Sequence, residues 1–309
     1  MNRIKRIKEL TERLNRYRDS YYNNSISEVS DYEYDKLYDE LERLENETNT
    51  TMINSPTRTI GYEVKGLLNK VRHNHPMLSL NKTKSMKDII HFLDSMPGVF
   101  MLKLDGLTIS LKYVNGDLVA AETRGDGEIG EDVLHTVKTF INVPLHIDCK
   151  EELVVDGEAI IPYDTFEKIN SSLEDPKKYE NPRNLASGSV RQLDSGISAK
   201  RGIKFIAWKA VSGIQDNSFV ARLLKLEELG FDIVPFYAAL GNLDEKGITE
   251  MIDDLKREAR LHFYPIDGIV VGVNDIAYGD SMGATQHHPR SQLAYKFYGE
   301  EAETNNKRG

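Results

Sequence analysis

The chain has 309 residues, of which 39% are hydrophobic and 29% are charged, with a formal net charge of −9. This size and composition are typical of a soluble globular protein with one large domain or two. No apolar run is long enough to span a membrane, and the N-terminus is basic rather than signal-like, so we expect a cytoplasmic protein without a membrane partner. The single cysteine, Cys149, excludes a disulfide framework and a cysteine zinc site within the chain. The excess of acidic over basic residues argues against non-specific coating of DNA. It still allows a local basic surface that binds DNA.

Residues 1–50 predict a helical hairpin. The first helix carries an apolar stripe at helical spacing, formed by Ile4, Ile7, Leu10, Leu14, Tyr17 and Tyr21. The second helix is predicted to begin at Ser30, because Ser30 and Glu33 form a capping-box pattern. A packed hairpin with a solvated basic face explains most of these residues. A cluster of aromatic and acidic residues favours a second interpretation, a site for a cationic aromatic ring bearing hydroxyl groups, and its members are Tyr21, Tyr22, Asp31, Tyr34 and Asp35.

Residues 46–75 are polar and predict a linker that leads into a second domain. The segment that follows, from His75 to Asn81, is typical of a turn into a strand. A short helix is then predicted from Lys87 to Ser95.

The run from Val99 to Tyr113 predicts a strand, a kink at Gly106 and a second strand, because its apolar residues largely alternate on either side of the glycine. The kink would let the backbone approach a ligand closely. Lys103 lies in this apolar run, so it must pair with an acid or lose its proton. Asp105 points to the same side of the strand. The two residues form either a buried structural ion pair or a nucleophilic amine oriented by a carboxylate.

From Phe100 to about Val211 the pattern indicates short strands and glycine-rich turns. Asn115-Gly116 is a strong hairpin signal. The loop at 124–127 has two interpretations. Its glycines could serve only to turn the chain, or the loop could present Arg124 to a ribose or a phosphate. Glu158 lies in so apolar a strand that its carboxylate needs a partner, for which a metal ion or a ribose hydroxyl would serve.

Residues 174–194 predict a polar loop. Arg183 and Arg191 lie close to glycines and serines in this loop, and that composition suits contact with phosphate. A further strand is predicted from Lys204 to Val211. Trp208 in this strand is equally compatible with a ligand contact and with the core.

The remainder of the chain alternates between helices and strands. Helices are predicted at Phe219–Leu229 and Thr249–Leu261, and strands at Pro265–Val273 and Leu293–Phe297. Lys296 stands alone in the apolar run of the last strand. His287 and His288 have no third ligand at a suitable spacing, so we predict a surface loop at 280–290 and no metal site. The polar tail at 300–309 is predicted to be disordered.

Several short motifs occur in order along the chain, at residues 103–106, 123–127, 130–133, 155–158, 181–184, 188–194, 266–271 and 294–297. The ordered set resembles the adenylation core of NAD-dependent DNA ligases, from about Leu10 to the last residues. Each motif is weak alone, but the whole set in order is highly specific. The resemblance implies an α+β protein. Residues 1–68 would form a helical hairpin module that binds the nicotinamide mononucleotide half of NAD. Residues 69–309 would form a nucleotidyltransferase (ATP-grasp-like ligase adenylation) domain of antiparallel sheets flanked by helices.

The resemblance also implies a reaction, the first step of nick sealing in DNA replication and repair. The Lys103 amine would attack the α-phosphorus of NAD, nicotinamide mononucleotide would leave, and a lysine–AMP phosphoramidate would remain. Lys296 and Mg²⁺ would supply a positive field. The implied catalytic residues are Lys103, Asp105, Asp267 and Lys296. The implied contacts to NAD are Tyr22, Asp31, Tyr34, Asp35, Ser79, Leu80, Gly106, Arg124, Glu158 and Trp208, and Arg183 and Arg191 would hold phosphate or the nicked DNA.

The sequence departs from the family pattern in three ways. Met101 replaces an acid placed near the adenine amine, and Gly272 replaces a lysine that contacts the α-phosphate. Losing one such charge contact costs about 3–4 kcal/mol, or roughly two to three orders of magnitude in rate. The oligonucleotide-binding barrel, zinc finger and helix-hairpin-helix repeats of the family are missing. We therefore expect a fragment, or a subunit that works with a second chain, with weak action on nicked DNA.

Two other functions stay open on the sequence alone. A protein of the same fold that binds NAD or a DNA end without chemistry is favoured by Met101 and Gly272 and opposed by the retained Lys103. An ATP-using ligase or capping enzyme would share the central lysine. The aromatic and acidic cluster opposes that reading, because ATP has no nicotinamide half to hold.

Overall fold

The computed structural model describes residues 3–24, 29–48, 50–52, 55–57, 68–175, 178–285 and 288–297, and it leaves undescribed the side chains of residues 19, 21–24, 31 and 32. The predictions for the side chains of Tyr22 and Asp31, for His287 and for residues 300–309 lie outside this description.

The described residues form eleven strands and ten helices. The strands are β1 (Lys70–Arg72), β2 (Asn81–Thr83), β3 (Gly98–Leu104), β4 (Leu107–Val114), β5 (Asp117–Thr123), β6 (Ile129–Glu131), β7 (Leu153–Ile160), β8 (Lys204–Ser212), β9 (Phe236–Ala239), β10 (Ile266–Val273) and β11 (Gln292–Lys296). The helices are α1 (Arg3–Asn24), α2 (Asp31–Thr48), α3 (Met86–Leu93), α4 (Leu134–Val137), α5 (Tyr163–Ser171), α6 (Pro182–Val190), α7 (Ser195–Ala199), α8 (Phe219–Glu228), α9 (Glu245–Leu261) and α10 (Ile276–Ser281).

Helices α1 and α2 form the predicted hairpin. Their apolar stripes meet in a small core of fully or nearly fully buried side chains, made of Ile7, Leu10, Leu14, Leu41 and Leu44. The Ser30 hydroxyl accepts the backbone N–H of Glu33 at 3.2 Å, which confirms the predicted start of α2.

Three sheets form the rest of the described chain. The orders are β2-β11-β10-β3-β9, β5-β4-β7-β8 and β1-β6. Neighbouring strands are antiparallel except for β11 and β2, which are parallel. Each of the two larger sheets has its own buried core, with Phe100 in the five-stranded sheet and Tyr113 in the four-stranded sheet. The α+β class, with N-terminal helices followed by antiparallel sheets and flanking helices, is confirmed.

The strand, kink and strand around Lys103 join the two larger sheets. β3 belongs to the five-stranded sheet and β4 to the four-stranded sheet, with Gly106 between them. A Cβ atom on Gly106 would lie 2.2 Å from the carbonyl oxygen of Ala159, so this close approach requires glycine. The Asn115-Gly116 hairpin is confirmed as well, since both residues have positive φ angles, of 51° and 87°.

The prediction of a polar loop at 174–194 is wrong in part, because α6 lies within it. Asn181 caps this helix by accepting the backbone N–H of Asn184 at 2.8 Å, and Pro182 occupies its first turn. Leu185 and Val190 are fully buried against the four-stranded sheet. Burial therefore stabilises a helix whose glycine and serine content indicated a loop. Helix α9 also begins earlier than predicted, because Asp244 accepts the N–H of Gly247 and caps it.

Within the described ranges, no helix is both long enough and apolar enough to cross a membrane.

Candidate active site

Three neighbouring strands bring Lys103, Asp267 and Lys296 together. Gly268 on β10 is paired with Lys103 on β3 and with Lys296 on β11, so both lysines project from the same face of the sheet. Asp267 lies where the register between β10 and β3 shifts. Its Oδ1 is 2.9 Å from Lys103 Nζ, and its Oδ2 accepts a hydrogen bond from Lys296 Nζ at 2.6 Å. One carboxylate therefore holds both amines.

The charge of Asp267 depends on these two lysines. Burial alone would raise the pKa of its carboxyl group, but the positive charges of Lys103 and Lys296 outweigh that effect and hold the pKa well below its usual range. Asp267 is therefore ionised at neutral pH. Its carboxylate orients the two amines and is a poor proton acceptor.

Helix α2 extends this charge network through Asp35. The Asp35 carboxylate accepts a hydrogen bond from Lys82 at 2.8 Å and lies 3.4 Å from Lys296 Nζ. Burial opposes the charged form of Asp35, but Lys296 and Lys82 lower the pKa of its carboxyl group. The Lys82 ammonium also lies 5.5 Å from the ring centroid of Tyr38, which stacks with Tyr34. The predicted residues Tyr34 and Asp35 thus lie beside the lysines of the sheet.

A second pair of charged contacts lies at the start of the four-stranded sheet. Thr108 Oγ1 donates a hydrogen bond to Glu158 at 3.0 Å. Burial raises the pKa of Glu158, although the charges of Lys103 and Arg183 and the bond from Thr108 oppose this shift. Arg183 Nη1 lies 3.1 Å from Asp105 Oδ1. Lys103 forms its ion pair with Asp267, and Asp105 forms one with Arg183.

Arg191 forms a two-pronged ion pair with Glu131. Its Nε and Nη2 atoms donate to the two carboxylate oxygens at 2.6 and 2.9 Å, and Glu131 is almost fully buried. This geometry gives Arg191 a structural partner in addition to the predicted contact with phosphate.

These residues line one cavity of about 660 Å³ between the two larger sheets and helix α2. The predicted site residues that line it are Tyr34, Asp35, Ser79, Leu80, Lys103, Asp105, Gly106, Arg124, Glu158, Arg183, Arg191, Trp208, Asp267 and Lys296. Trp208 also packs against the core of the five-stranded sheet, so it serves both interpretations made from the sequence. A cavity of this size accommodates a cofactor-sized ligand.

Sequence reasoning missed three residues that line the cavity. Lys82 pairs with Asp35, and His75 Nε2 lies 3.0 Å from Oδ2 of the buried Asp156. Asp156 carries the same signal as Glu158, a carboxylate in an apolar strand, and could have been found that way. Lys82 lies in a short polar strand and gives no such signal.

The two residues that depart from the family pattern lie on the neighbouring strands β3 and β10. Met101 is buried, lines the cavity and is paired with Val270. Gly272 is paired with Val99 on one side and Gln292 on the other. A Cβ atom on Gly272 would lie 3.4 and 3.5 Å from the side chains of these two neighbours, which is ordinary contact. The backbone therefore accepts a side chain at position 272.

No group of three or more His, Cys, Asp or Glu side chains in the described ranges is arranged to hold a metal ion. The carboxylates nearest Lys103 are each engaged by a cation or a hydroxyl. They do not form a protein site for Mg²⁺, which prefers octahedral oxygen ligands and commonly takes several from water and substrate phosphates.

Comparisons with known proteins show the family of this chain. Residues 65–300 match the family model of the NAD-dependent DNA ligase adenylation domain, and residues 1–61 match that of the DNA ligase-like, N-terminal NAD⁺-binding domain. The chain is 44% identical over 308 residues to a DNA ligase of Lachnoclostridium phytofermentans, and 41% identical over 307 residues to one of Ruminiclostridium cellulolyticum. The alignments cover 97% and 98% of this chain but 46% of each relative.

Among solved structures, the chain is similar to a mycobacterial DNA ligase D complexed with ATP and MES, with a TM-score of 0.39 and 14% sequence identity. That similarity covers 72% of this chain and 60% of the other. It is too low to support a conclusion about this protein.

Proposed function

This chain belongs to the NAD-dependent DNA ligase family, and from that premise we propose that Lys103 is the nucleophile that takes AMP from NAD. Its Nζ would form a bond to the α-phosphorus, and the bond from that phosphorus to nicotinamide mononucleotide would break. The leaving group takes the bonding electron pair, and the amine loses a proton. The observation that carries the proposal is the pair of cavity-lining lysines, Lys103 and Lys296, held by one ionised carboxylate.

Each of these three residues would have a distinct role. Asp267 fixes the direction of the Lys103 amine, which must attack in line with the leaving group. Lys296 lies on the same carboxylate and would stabilise negative charge that develops on the phosphate. Arg183, held 3.1 Å from Asp105, adds a second cation from helix α6, and Asp105 would position it.

The rest of the cavity divides between the two halves of NAD. Tyr34 and Asp35, with Tyr22 and Asp31, would bind the nicotinamide mononucleotide half, so that residues 1–68 act as one module. Residues 69–309 would bind the adenylate half. There Glu158 would hold a ribose hydroxyl, Trp208 would stack on the base, and Ser79, Leu80, Gly106 and Arg124 would line the nucleotide.

The wider activity is a proposal that reaches beyond this chain. The chain spans 46% of the length of the relatives that it matches. We propose that the AMP passes to nicked DNA in DNA replication and repair, with Arg183 and Arg191 near the DNA phosphates. Efficient sealing would need the domains found in the rest of those relatives, supplied in the same chain or in a second one. Mg²⁺ would act through the substrate phosphates.

A second function, binding of NAD or a DNA end without chemistry, is favoured by one observation. Met101 and Gly272 leave the shared face of β3 and β10 without the two charged groups of the family pattern. The retained Lys103, Asp267 and Lys296 favour catalysis instead.

The intact mass of the protein distinguishes these functions. The protein is incubated with NAD, with and without Mg²⁺, beside a Lys103→Ala variant. Self-adenylation predicts an added AMP that is absent from the variant. NAD binding by calorimetry without any adduct would support the binding function instead. Absence of both adduct and binding would contradict the proposed function altogether.

A further inference from the structure

His73 is a buried histidine beside the cavity that the proposed reaction does not use. It directly follows β1, and its side chain is 1% exposed. Its Nδ1 lies 2.8 Å from a carboxylate oxygen of Glu122, and its Nε2 lies 3.0 Å from the carbonyl oxygen of Arg124. The ring therefore joins strand β5 to the turn at residues 124–127, which we name the Arg124 turn.

Both partners of the His73 ring can only accept hydrogen bonds. A backbone carbonyl has no proton to donate, and neither has a glutamate in its carboxylate form. Both contacts are hydrogen bonds only if both ring nitrogens carry a proton. The geometry therefore fits the imidazolium form. Burial disfavours that form, but the contacts with Glu122 and with the Arg124 carbonyl raise the pKa of His73 above its usual value.

We propose that the imidazolium of His73 is a positioning residue that fixes the Arg124 turn against the cavity and so supports nucleotide binding. This inference rests on the proposed function, since it assumes that the cavity binds NAD. The Arg124 carbonyl also accepts the N–H of Gly127 at 3.0 Å, so the ring and the turn share one acceptor. The Arg124 side chain lines the cavity, which connects the ring to the ligand.

Neighbouring groups restrict the position of the His73 ring. The backbone N–H of His73 donates to Glu128 at 2.8 Å, and a Cβ atom on Gly130 would lie 2.7 Å from the ring. The charged and titratable groups that face the ring or flank it are Glu122 from β5, Asp156 from β7, Arg124, the pair of Arg72 in β1 with Glu128 just before β6, and His75 two residues later. Glu122 and Asp156 both favour the charged ring.

Loss of the proton from His73 would affect the Arg124 turn first. The remaining N–H would stay with the Glu122 carboxylate, because a hydrogen bond to a charged acceptor is stronger. The Arg124 carbonyl would then face a ring nitrogen without a proton. Since the pKa of His73 is raised in the folded protein, the contact is complete at lower pH and is lost as pH rises through that raised value.

Calorimetry with NAD tests the proposal across pH 6 to 9. We measure the wild type, His73→Gln, Arg124→Ala and the double variant. The wild type should lose about tenfold in affinity as the pH rises, the scale of one charge-assisted hydrogen bond. His73→Gln should bind NAD weakly at every pH. In the Arg124→Ala background, the same substitution should not weaken NAD binding further. An equal effect in both backgrounds would contradict action through Arg124.

Nuclear magnetic resonance of the wild type tests the same proposal without a ligand. The ring nitrogen shifts of His73 should report a doubly protonated ring at pH 7. The amide signals of Gly125 and Gly127 should titrate with the same midpoint as the ring. A neutral ring at pH 7, or glycine amides that ignore its titration, would overturn the proposal even if NAD binding fails for another reason.

Discussion

Asp267 accepts hydrogen bonds from Lys103, 164 residues before it, and from Lys296, 29 residues after it. Two strands bring these residues to the same carboxylate, because β10 lies between β3 and β11 in the sheet. Glycine at position 268 permits this, since a Cβ atom there would lie 2.2 Å from the carbonyl oxygen of Tyr295. The candidate nucleophile and its neighbouring cation are thus held by backbone pairing as well as by charge.

Gly272→Lys should increase adenylation. The backbone accepts a side chain at this position, and the family pattern has a lysine there. One such charge contact to a transition state is worth about two to three orders of magnitude, so we expect a gain of about 100-fold or more in the rate of AMP–lysine formation. Gly272→Met is the matched control, because it adds length without charge. A rate that stays the same in Gly272→Lys would mean that another group already supplies this contact.

Asp35→Ala should weaken the binding of NAD while leaving the binding of AMP no weaker. Asp35 lies on α2, in the module proposed for the nicotinamide mononucleotide half, which AMP does not contain. Loss of the charged contact that we propose between Asp35 and this half should reduce affinity for NAD about tenfold or more, as measured by calorimetry. Lys36→Ala, an exposed change in the same turn, is the control. Equal weakening of NAD and AMP would contradict this division of the cavity.

Glu158→Gln should stabilise the protein without ligand at pH 7 while reducing adenylation. Burial raises the pKa of Glu158, so the folded state holds its proton more tightly than the unfolded state does. The wild type therefore loses stability as pH rises through this raised value, and the glutamine variant does not. In urea unfolding, the gain in the free energy of unfolding of Glu158→Gln over the wild type should grow from pH 4.5 to pH 7. Glu151→Gln, on the exposed loop before β7, should show no such gain. A benefit that shrinks with rising pH would contradict the direction of the shift.

Arg191→Ala should destabilise the fold by about 3–5 kcal/mol, because it leaves the carboxylate of Glu131 buried without its partner. The double variant with Glu131→Gln should recover part of the loss, since the buried charge is then absent. Urea unfolding measures both, with exposed Lys200→Ala as the control. Unchanged stability in Arg191→Ala would show that the guanidinium is dispensable for the fold, which would favour its role in phosphate contact.

Local sequence patterns predicted much of the fold. The Ser30 cap, the turn at Asn115-Gly116 and the kink at Gly106 each depend on a few neighbouring residues, and each is present. The helix at α6 was missed because its stability comes from burial of Leu185 and Val190, and neither spacing nor composition reports that burial.

The candidate site could be predicted as a set of residues but not as a set of pairs. Spacing along a strand suggested Asp105 as the carboxylate for Lys103. The strand ends at Leu104, the N–H of Asp105 donates to the carbonyl of Pro265, and Lys103 meets Asp267 from a neighbouring strand. Pairing across strands depends on sheet order, and one sequence does not contain that order. The same reason hid the contact between Lys82 and Asp35.

The position of β11 has a consequence for how the protein is made. It is the last strand of the described chain in sequence, yet it lies second in the five-stranded sheet and pairs with both β2 and β10. As the chain leaves the ribosome, β10 emerges and can pair with β3 before Lys296 has emerged. At that stage Asp267 has only Lys103 as its partner in the sheet. The final charge balance of the site is therefore set only after β3 and β10 can pair, and contacts of such long sequence separation form slowly.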